Sequence, residues 1–471
     1  MKSLNISNAA ISGLVLLLPS LGAGCGGAAG VQRSAASTFG PMSVSVTISP
    51  DSVGIQRGGK WSFAASAIGS NNTAVTWGIQ ENSAGGTISD TGVYTAPAVD
   101  GVYHVVATAQ ADPNKSAIAT VHVVKSGFMS TGSLSHPRLQ HTTTLLPSGK
   151  VLVAGGGYGP DLIDGYWIVD QAELFDPTTG SFSSAGVVSR DGHTATLLLD
   201  GDVLLAGGET GWSNLFPILS NTADLERAAS GLFEPTGNMA TGREAHAAAL
   251  LSDGRVLVTG GVIPSGISWQ ALQEAELFDP VSDTFATAAK MNVARAFHTA
   301  TLLPNGKVLV TGGGYQGDGD TAELFDPATG SFIPTGRMTA ARSSHTATLL
   351  PNGKVLIAGG GQTAELYDPV TGLFTPIGSM AISRFWHTAT MLPDGTVLIA
   401  GGSIRYWGSE TATTEIYDPA TGSFSLGPSM RQGRFSHTAT LLPGGRVLFV
   451  GGASSDDGIH ITALASAEIY N

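Results

Sequence analysis

Seven histidines recur at equivalent places along the last three quarters of the chain, 42 to 53 residues apart. Each begins a stretch such as "HTATLLPNGKVLVTGG", which runs from His298 to Gly313. Imidazole can act as a general base or a metal ligand. A substrate, however, would meet only one or two of the copies, so we expect these histidines to serve the scaffold. The seven are His141, His193, His246, His298, His345, His387 and His437.

Two further charged positions recur with the histidines. An arginine stands three residues before each one: Arg138, Arg190, Arg243, Arg295, Arg342, Arg384 and Arg434. An acid begins a later strand of each copy: Glu173, Asp224, Glu276, Glu323, Glu365, Glu415 and Glu468. A buried guanidinium without a partner is costly. We therefore expect each arginine to bond to a strand acid or to nearby carbonyl oxygens.

The pattern of each copy predicts four β-strands. "HTATLL" is the first strand, and "PNGK" or a variant forms the hairpin turn, where Asn-Gly supplies the positive backbone angles required. "KVLVTGG" is the second strand, almost wholly apolar, as expected when both faces are buried. "AELFDPATG" supplies the third strand and a turn, and "SFIPTGRM" the fourth. A Gly-Gly pair begins 14 residues after each histidine.

This pattern resembles the kelch repeat of β-propellers, in the variety found in the galactose oxidase central domain. The Gly-Gly pair, the aromatic residue of "AELFDP" and the phenylalanine that opens each fourth strand are the shared features. The repeats are preceded by a lone fourth strand, "GFMSTGSL", and end on a third strand, "SAEIY", which together would complete a seventh blade. The resemblance implies an all-β fold with a seven-bladed kelch-type propeller over residues 126–471, closed without exposed strand edges.

A smaller strand-rich segment precedes the repeats, over residues 43–125. Its stretch "AVTWGIQENSAGGTISDTGVYTAPA" resembles the immunoglobulin-like β-sandwich domains of bacterial surface proteins. We expect Trp77 to lie in the core of this domain and Ser89–Gly92 to form a hairpin turn. The resemblance implies a spacer.

The first 25 residues resemble a lipoprotein signal peptide. An apolar run too short for a comfortable membrane span ends in "LGAGC", which resembles a lipobox with Cys25 as the lipidated residue. The alternative is an ordinary secretory signal. Residues 26–42 are predicted to be a flexible linker. We expect an exported protein, attached to the outer membrane or cell surface as a lipoprotein, or otherwise secreted.

Composition limits the partners. The formal net charge is −13 and no basic cluster is present, which argues against nucleic-acid binding. Cys25 is the only cysteine, so an intrachain disulfide is excluded. We expect a monomer that contacts membrane only through an N-terminal lipid anchor, with a polysaccharide or a protein as its ligand.

Loops that differ between copies are the candidate functional regions. The connections between second and third strands are rich in large aromatic residues, which can bind sugar faces or peptides but can also pack locally. The candidate ligand-binding residues are Tyr158, Trp167, Trp212, Trp269, Tyr315, Trp386, Tyr406 and Trp407. Clustered acids form weak metal candidates, at Asp318, Asp320, Asp456 and Asp457. Since calcium needs six to eight oxygens, we expect no metal there.

The resemblance to galactose oxidase raises the possibility of a copper oxidase. That chemistry uses a tyrosine linked to a cysteine, and the propeller segment has no cysteine, so we expect no cofactor. The favoured function is non-catalytic recognition or adhesion at the bacterial cell surface, through the loop face. The alternatives are a carbohydrate-active enzyme at the channel mouth and a structural surface-assembly protein. Strongly perturbed carboxylates on the loop face would favour the enzyme, and aromatic surfaces would favour binding.

Overall fold

The computed structural model describes residues 43–49, 52–58, 60–124, 127–161, 165–213, 216–265, 268–314, 317–405, 409–455 and 460–471. The described residues divide into two compact units, one ending at Val123 and the other beginning at Val124. Regular structure in them is β-strand, with one 3-10 helix at Asn82–Gly85. None of their helices has the length and apolar character needed to cross a membrane. The predicted signal peptide with Cys25 and the predicted linker lie outside the described residues.

The N-terminal unit contains three sheets. Its strands are β1 (Ser45–Ser49), β2 (Ser52–Gln56), β3 (Lys60–Ser62), β4 (Ala64–Ile68), β5 (Val75–Ile79), β6 (Thr87–Ile88), β7 (Val93–Thr95), β8 (Gly101–Ala109) and β9 (Ser116–Val124). The sheet orders are β1–β4, β2–β9–β8–β5 and β3–β7–β6. Trp61 and Tyr94 are buried in one core, against which the partly buried Trp77 packs. The amide of Gly92 donates to the carbonyl of Ser89, so the predicted turn is present. The immunoglobulin-like assignment stays a prediction.

The second unit consists of seven four-stranded sheets, numbered here as blades 1 to 7. After β10 (Phe128–Ser130), blade 1 comprises β11 (Thr142–Leu145), β12 (Val151–Ala154), β15 (Gln171–Asp176) and β16 (Ser181–Val187), with the hairpin β13 (Gly157–Asp161) and β14 (Gly165–Ile168) inserted. Blade 2 comprises β17 (Thr194–Leu197), β18 (Val203–Ala206), β21 (Ala223–Arg227) and β22 (Leu232–Pro235), with the hairpin β19 (Glu209–Ser213) and β20 (Phe216–Leu219). Blade 3 comprises β23 (Ala247–Leu250), β24 (Val256–Thr259), β27 (Ala275–Asp279) and β28 (Thr284–Thr287), with the hairpin β25 (Val262–Ser265) and β26 (Ser268–Ala271).

The remaining blades follow the same plan. Blade 4 comprises β29 (Thr299–Leu302), β30 (Val308–Thr311), β31 (Ala322–Asp326) and β32 (Ser331–Pro334). Blade 5 comprises β33 (His345–Leu349), β34 (Val355–Gly359), β35 (Ala364–Asp368) and β36 (Leu373–Pro376). Blade 6 comprises β37 (Thr388–Met391), β38 (Val397–Ala400), β39 (Thr414–Asp418) and β40 (Ser423–Leu426). Blade 7 comprises β41 (Thr438–Leu441), β42 (Val447–Val450), β45 (Ala467–Tyr470) and the early strand β10, with the hairpin β43 (Ala453–Ser454) and β44 (Thr462–Ala463).

The blades form a closed ring. The first strands of blades 1 to 7 contact one another in order, and the first strand of blade 7 contacts that of blade 1. β10 pairs with β45, so that Phe128 lies opposite Tyr470 and strands from both ends of the repeat segment complete blade 7. The predicted all-β fold with a seven-bladed propeller is therefore confirmed, and the seven first strands surround a central channel.

Burial in each blade is greatest at the second strand and least at the outer edge. The second strand is buried along its whole length, as in Val308–Thr311, and the first strand is half-buried beside the channel. The fourth strand is largely exposed. Its phenylalanine packs on the aromatic residue of the third strand, with ring centroids 4.9 Å apart for Phe325 and Phe332. The recurring apolar pattern therefore forms the interfaces between neighbouring blades.

The recurring arginine ties together the elements of its own blade. In blade 5 the guanidinium of Arg342 donates to the carbonyls of Gly359 and Thr363, at 2.8 and 2.7 Å, and to the Glu365 carboxylate, at 2.8 Å. The other Glu365 oxygen accepts the amide of Thr339, at 2.7 Å. An arginine–carboxylate pair of this kind is present in all seven blades, which confirms the predicted pairing.

The same residues also join each blade to the preceding one. The carbonyl of each recurring arginine accepts the amide of the second glycine of the preceding Gly-Gly pair, and the bond from Gly452 to Arg138, at 2.9 Å, closes the ring. The Nε2 atom of each recurring histidine bonds a threonine hydroxyl of the preceding blade, as His193 does with Thr142 at 2.9 Å. The histidines are thus interblade contacts, as expected of scaffold residues.

Replacement of Arg342 by alanine should strongly destabilise the propeller. The substitution leaves the buried Glu365 carboxylate uncompensated, which typically costs about 3–5 kcal/mol. We expect a lower free energy of unfolding in urea denaturation followed by tryptophan fluorescence. Arg337→Ala is the matched control, because the Arg337 side chain is 60% exposed. An equal effect of the two substitutions would contradict the structural role of the buried pair.

The histidine ring should make the protein sensitive to acid. Burial, then the charge of a nearby arginine, lowers the pKa of His193 and of His345 to about 3. In the unfolded chain these histidines protonate near pH 6.5. Above that pH they are neutral in both the folded and the unfolded state, so their ionisation does not affect stability. As pH falls from 6.5 towards 3, stability is lost by about 1.4 kcal/mol per pH unit for each histidine. Urea midpoints measured at pH 7 and pH 5 should show this loss.

His345→Gln should reduce this pH dependence by the share of one histidine. The exposed His136 provides the control substitution, His136→Gln, which should leave the pH dependence unchanged. If the wild-type midpoints were the same at both pH values, the buried histidines would not be the acid-sensitive groups.

Candidate functional site

The residue immediately before each recurring histidine lies on an inner ring, which we call the mouth ring. All seven have a left-handed backbone, with φ between 49° and 61°. In five of the seven blades the amide of this residue donates to the carbonyl of its counterpart in the preceding blade, as from Trp386 to Ser344 at 3.1 Å. These bonds run around one end of the channel. The mouth ring consists of Gln140, Gly192, Ala245, Phe297, Ser344, Trp386 and Ser436.

The residue types of the mouth ring differ from blade to blade. A left-handed backbone costs a residue other than glycine roughly 1–2 kcal/mol, so glycine is the residue that this position favours. Only Gly192 meets that preference, whereas Phe297 and Trp386 are held at φ 54° and 50°. Bulky residues in such a conformation are concentrated at functional sites in proteins. The mouth ring is therefore the strongest candidate for a binding site.

Two aromatic residues give one side of the mouth an apolar character. Phe297 stands two residues before the inner strand β29 and is 36% exposed. The Trp386 ring is half-buried, with its centroid 6.2 Å from Phe385 and 6.3 Å from Phe435. Flat rings at a channel mouth offer stacking surfaces for a ligand.

Three acids lie on another side of the mouth, and we call them the mouth acid cluster. Asp191 and Glu244 each stand two residues before a recurring histidine, and Glu209 follows the Gly-Gly pair of blade 2. The backbones of Asp191 and Glu209 exchange hydrogen bonds of 3.0 and 2.7 Å. The carboxyl groups of Glu209 and Glu244 are hydrogen-bonded to each other. Glu209 is buried, whereas Glu244 keeps part of its side chain exposed.

The environment of this cluster favours the protonated form of one carboxyl. Burial is the largest cause that raises the pKa of Glu209 well above its usual range, and the charge and hydrogen bond of Glu244 add to it. Burial also raises the pKa of Glu244. Both carboxyl groups are therefore harder to ionise than an exposed glutamate.

Gly192 of the mouth ring lies beside the cluster. Gly192 has no side chain, and a Cβ atom at this position would lie 3.6 Å from the Glu244 Oε2 atom. The mouth thus combines acidic residues in blades 2 and 3 with aromatic residues in blades 4 and 6.

The structure separates the aromatic residues predicted from the sequence. Tyr158 and Trp167 lie opposite each other on the hairpin of blade 1, with ring centroids 5.6 Å apart, and Trp167 is 49% exposed. Trp269 is half-buried and packs against Val262 and Ala296, which indicates a local packing role. Trp386 belongs to the mouth ring. Tyr315, Tyr406, Trp407 and the side chain of Trp212 lie outside the described residues.

The structure describes one of the two predicted acidic loops, the one with Asp318 and Asp320. Arg337 forms a bidentate pair with Asp320, at 2.9 and 2.7 Å, and lies 4.0 Å from Asp318. This basic partner indicates a salt-bridged turn. Asp456 and Asp457 lie outside the described residues. Within the part of the chain that the structure describes, no group of three His, Cys, Asp or Glu side chains is arranged to hold a metal ion.

Sequence reasoning missed Phe297, Glu209 and Glu244. A signal for two of them is present, because the two residues between the recurring arginine and histidine vary while their flanks do not: "RLQH", "RDGH", "REAH", "RAFH", "RSSH", "RFWH" and "RFSH". Variation between invariant flanking residues marks positions whose residue type the scaffold does not require. The sequence gives no comparable signal for Glu209, since it is simply the first residue of another variable loop.

Comparisons with known proteins agree with this architecture. A Kelch motif matches residues 388–431, which include the four strands of blade 6. A stretch of 101 residues is 35% identical to an F-box/kelch-repeat protein of Arabidopsis thaliana, covering 19% of this chain and 20% of that protein. These matches, with the fold, support a kelch-repeat protein. The shared stretch spans only about a fifth of the plant relative.

A solved structure shares the fold. A fungal alcohol oxidase of the AA5 family, solved in complex with copper, aligns with a TM-score of 0.58 and 17% identity, over 73% of this chain and 75% of its own. At this identity the likeness concerns the fold alone. The described residues present no three-ligand group for copper, and the single cysteine is Cys25. The described residues therefore do not fit a copper centre of that kind.

Replacement of Phe297 by glycine tests whether the mouth ring is scaffold. Glycine adopts the left-handed backbone without the penalty of roughly 1–2 kcal/mol, so we expect an unchanged or higher melting temperature. The control is Phe325→Ala, which removes a fully buried ring of the same blade and should cost about 3–5 kcal/mol. If Phe297→Gly destabilised the protein as much as the control, the ring would be a packing residue.

Proposed function

We propose that this chain is a non-catalytic recognition protein that binds a polysaccharide at the loop face of its propeller, around the mouth ring. The observation that supports this most strongly is the left-handed Phe297, an exposed ring at a position where the scaffold favours glycine. The Tyr158–Trp167 pair adds a second aromatic surface on an inserted hairpin. Export and lipidation at Cys25 belong to the same proposal, and would present this face outside the cell.

A second candidate is a carbohydrate-active enzyme at the channel mouth. The raised pKa values of Glu209 and Glu244 favour it, since acid–base catalysts commonly have such shifts. The two carboxyls are hydrogen-bonded to each other, however, whereas glycoside hydrolysis needs carboxyls roughly 5–9.5 Å apart with the sugar between them. This geometry argues against a glycosidase, so recognition is the better supported function.

Binding of the full chain to a broad glycan array tests the proposal. We expect a polysaccharide ligand, with binding reduced at least tenfold by Phe297→Ala and to a lesser degree by Trp167→Ala. Leu426→Ala is the control, because this residue is 73% exposed on the outermost strand of blade 6.

Three other results would refute or redirect the proposal. No binding across the array would refute polysaccharide recognition and favour a protein ligand, as for other kelch-repeat propellers. Binding unchanged in Phe297→Ala would place the ligand away from the mouth ring. Release of reducing ends from a bound glycan would favour the enzyme.

A further inference from the structure

Blade 2 departs from the repeat at the position of the third-strand aromatic residue. Glu226 stands there, opposite Phe233 on β22. In blade 3 the corresponding residues are Phe278 and Phe285. The other six blades all have phenylalanine or tyrosine in the third strand, and its ring packs on the fourth-strand phenylalanine with centroids 4.8 to 5.3 Å apart. Phe233 therefore lies beside a carboxyl group where the repeat supplies a ring.

The Glu226 side chain is buried without a compensating positive charge. Glu226 is 4% exposed, and its Oε2 atom is buried without a hydrogen-bond partner in the described part of the chain. The recurring acids of the propeller, by contrast, pair with buried arginines, as Asp224 of the same strand does with Arg190. Because an uncompensated buried carboxylate is strongly destabilising, this place suits the neutral carboxylic acid.

The charged residues around Glu226 do not neutralise it. Arg227 follows it in the chain, but the Arg227 guanidinium is held by other acids. It donates to three carboxylates, each at 3.0 Å, namely those of Asp202, Glu234 and Asp283. Asp202, from the turn between β17 and β18, places a further negative charge near Glu226. The nearest cation is therefore already bonded to other groups.

Ionisation of Glu226 opposes the folding of blade 2. Burial, then the charge of Asp202, raises the pKa of Glu226 above its ordinary value of 4.5. Below pH 4.5 the carboxyl is protonated in both the folded and the unfolded chain, so it does not affect stability. As the pH rises from 4.5 through the raised pKa, stability is lost, and above that pKa the loss is constant. This effect has the opposite sign to that of the buried histidines.

The outer half of blade 2 is the part that this loss would affect. β22 is the outermost strand and is largely exposed, with Phe233 as its half-buried residue. Phe233 packs on an apolar cluster to which blade 1 contributes Leu152 and Ala154. Strands with few buried contacts open locally at a lower free energy than the core. The hairpin β19–β20 precedes β21 in the chain, so β21 connects this outer half to the loop face.

We propose that Glu226 makes the outer strands of blade 2 a pH-responsive element, in which β21 and β22 are held against blade 1 while the carboxyl is protonated and open locally when it ionises. On ionisation the O–H bond of Glu226 breaks, its electron pair stays on the carboxylate, and the proton leaves to the solvent. Opening of β21 would also release the hairpin β19–β20, and would make the loop face of blade 2 depend on pH.

Hydrogen exchange of the full chain, measured by mass spectrometry at pH 5 and pH 7, tests this. The measured rates are corrected for the intrinsic exchange rate at each pH, which gives protection factors. We expect the protection of β21 and β22 to be at least about threefold lower at pH 7 than at pH 5, whereas β31 and β32 of blade 4 should show no such fall. Glu226→Gln should remove the difference. Glu226→Phe restores the aromatic pair and should raise protection at both pH values.

The control is Glu234→Gln, because the Glu234 side chain is 54% exposed on β22 and its loss should leave the pH dependence unchanged. Equal wild-type protection at both pH values would overturn the inference, and so would a pH dependence that persists in Glu226→Gln. Lower protection in Glu226→Phe would also contradict it, since the carboxyl would then not occupy the place of a ring. Melting temperatures show whether each variant is folded, and the wild-type comparison is decisive without them.

Discussion

A buried guanidinium in each blade is the interaction on which the rest of the propeller depends. Its side chain bonds the end of the second strand, the start of the third strand and a carboxylate within one blade, as Arg342 does. Its main-chain carbonyl accepts an amide of the preceding blade. One residue thus determines both the internal geometry of a blade and its junction with its neighbour. Removal of either charge would leave the other buried and uncompensated.

The same constraint produces the mouth of the channel. Because the arginine and the histidine three residues later are both held in fixed contacts, the two residues between them must make a tight bend. The second of the two adopts a left-handed backbone in every blade. The scaffold therefore places seven residues around the channel whose residue types the repeat does not fix. The repeat requires this bend in every blade. The seven bends together form a ring of positions whose residue types are free to differ.

Two of the irregular features are costly for stability and lie at this mouth. Phe297 and Trp386 adopt a conformation that glycine would adopt freely, and Glu209 and Glu244 bring two carboxyl groups together in a buried setting. In the regular parts of the propeller, by contrast, buried charges are paired, since each buried arginine has a carboxylate partner. The coincidence of these unfavourable local features at one end of the channel supports the proposed ligand site.

The amino-acid sequence by itself determined the four-strand unit, the number of blades and the arginine–acid pairs, because each depends on a periodic pattern of residue types. It also indicated aromatic residues on the loop face, of which Trp386 lies on the mouth ring and Trp269 packs locally. Only the tertiary structure brought Glu209 against Glu244, which are 35 positions apart in different blades. Closure of the ring sets that proximity, and burial then changes the proton affinity of both carboxyls. Neither effect has a signature in local sequence, since an isolated glutamate in a variable loop looks the same whether it is solvated or buried.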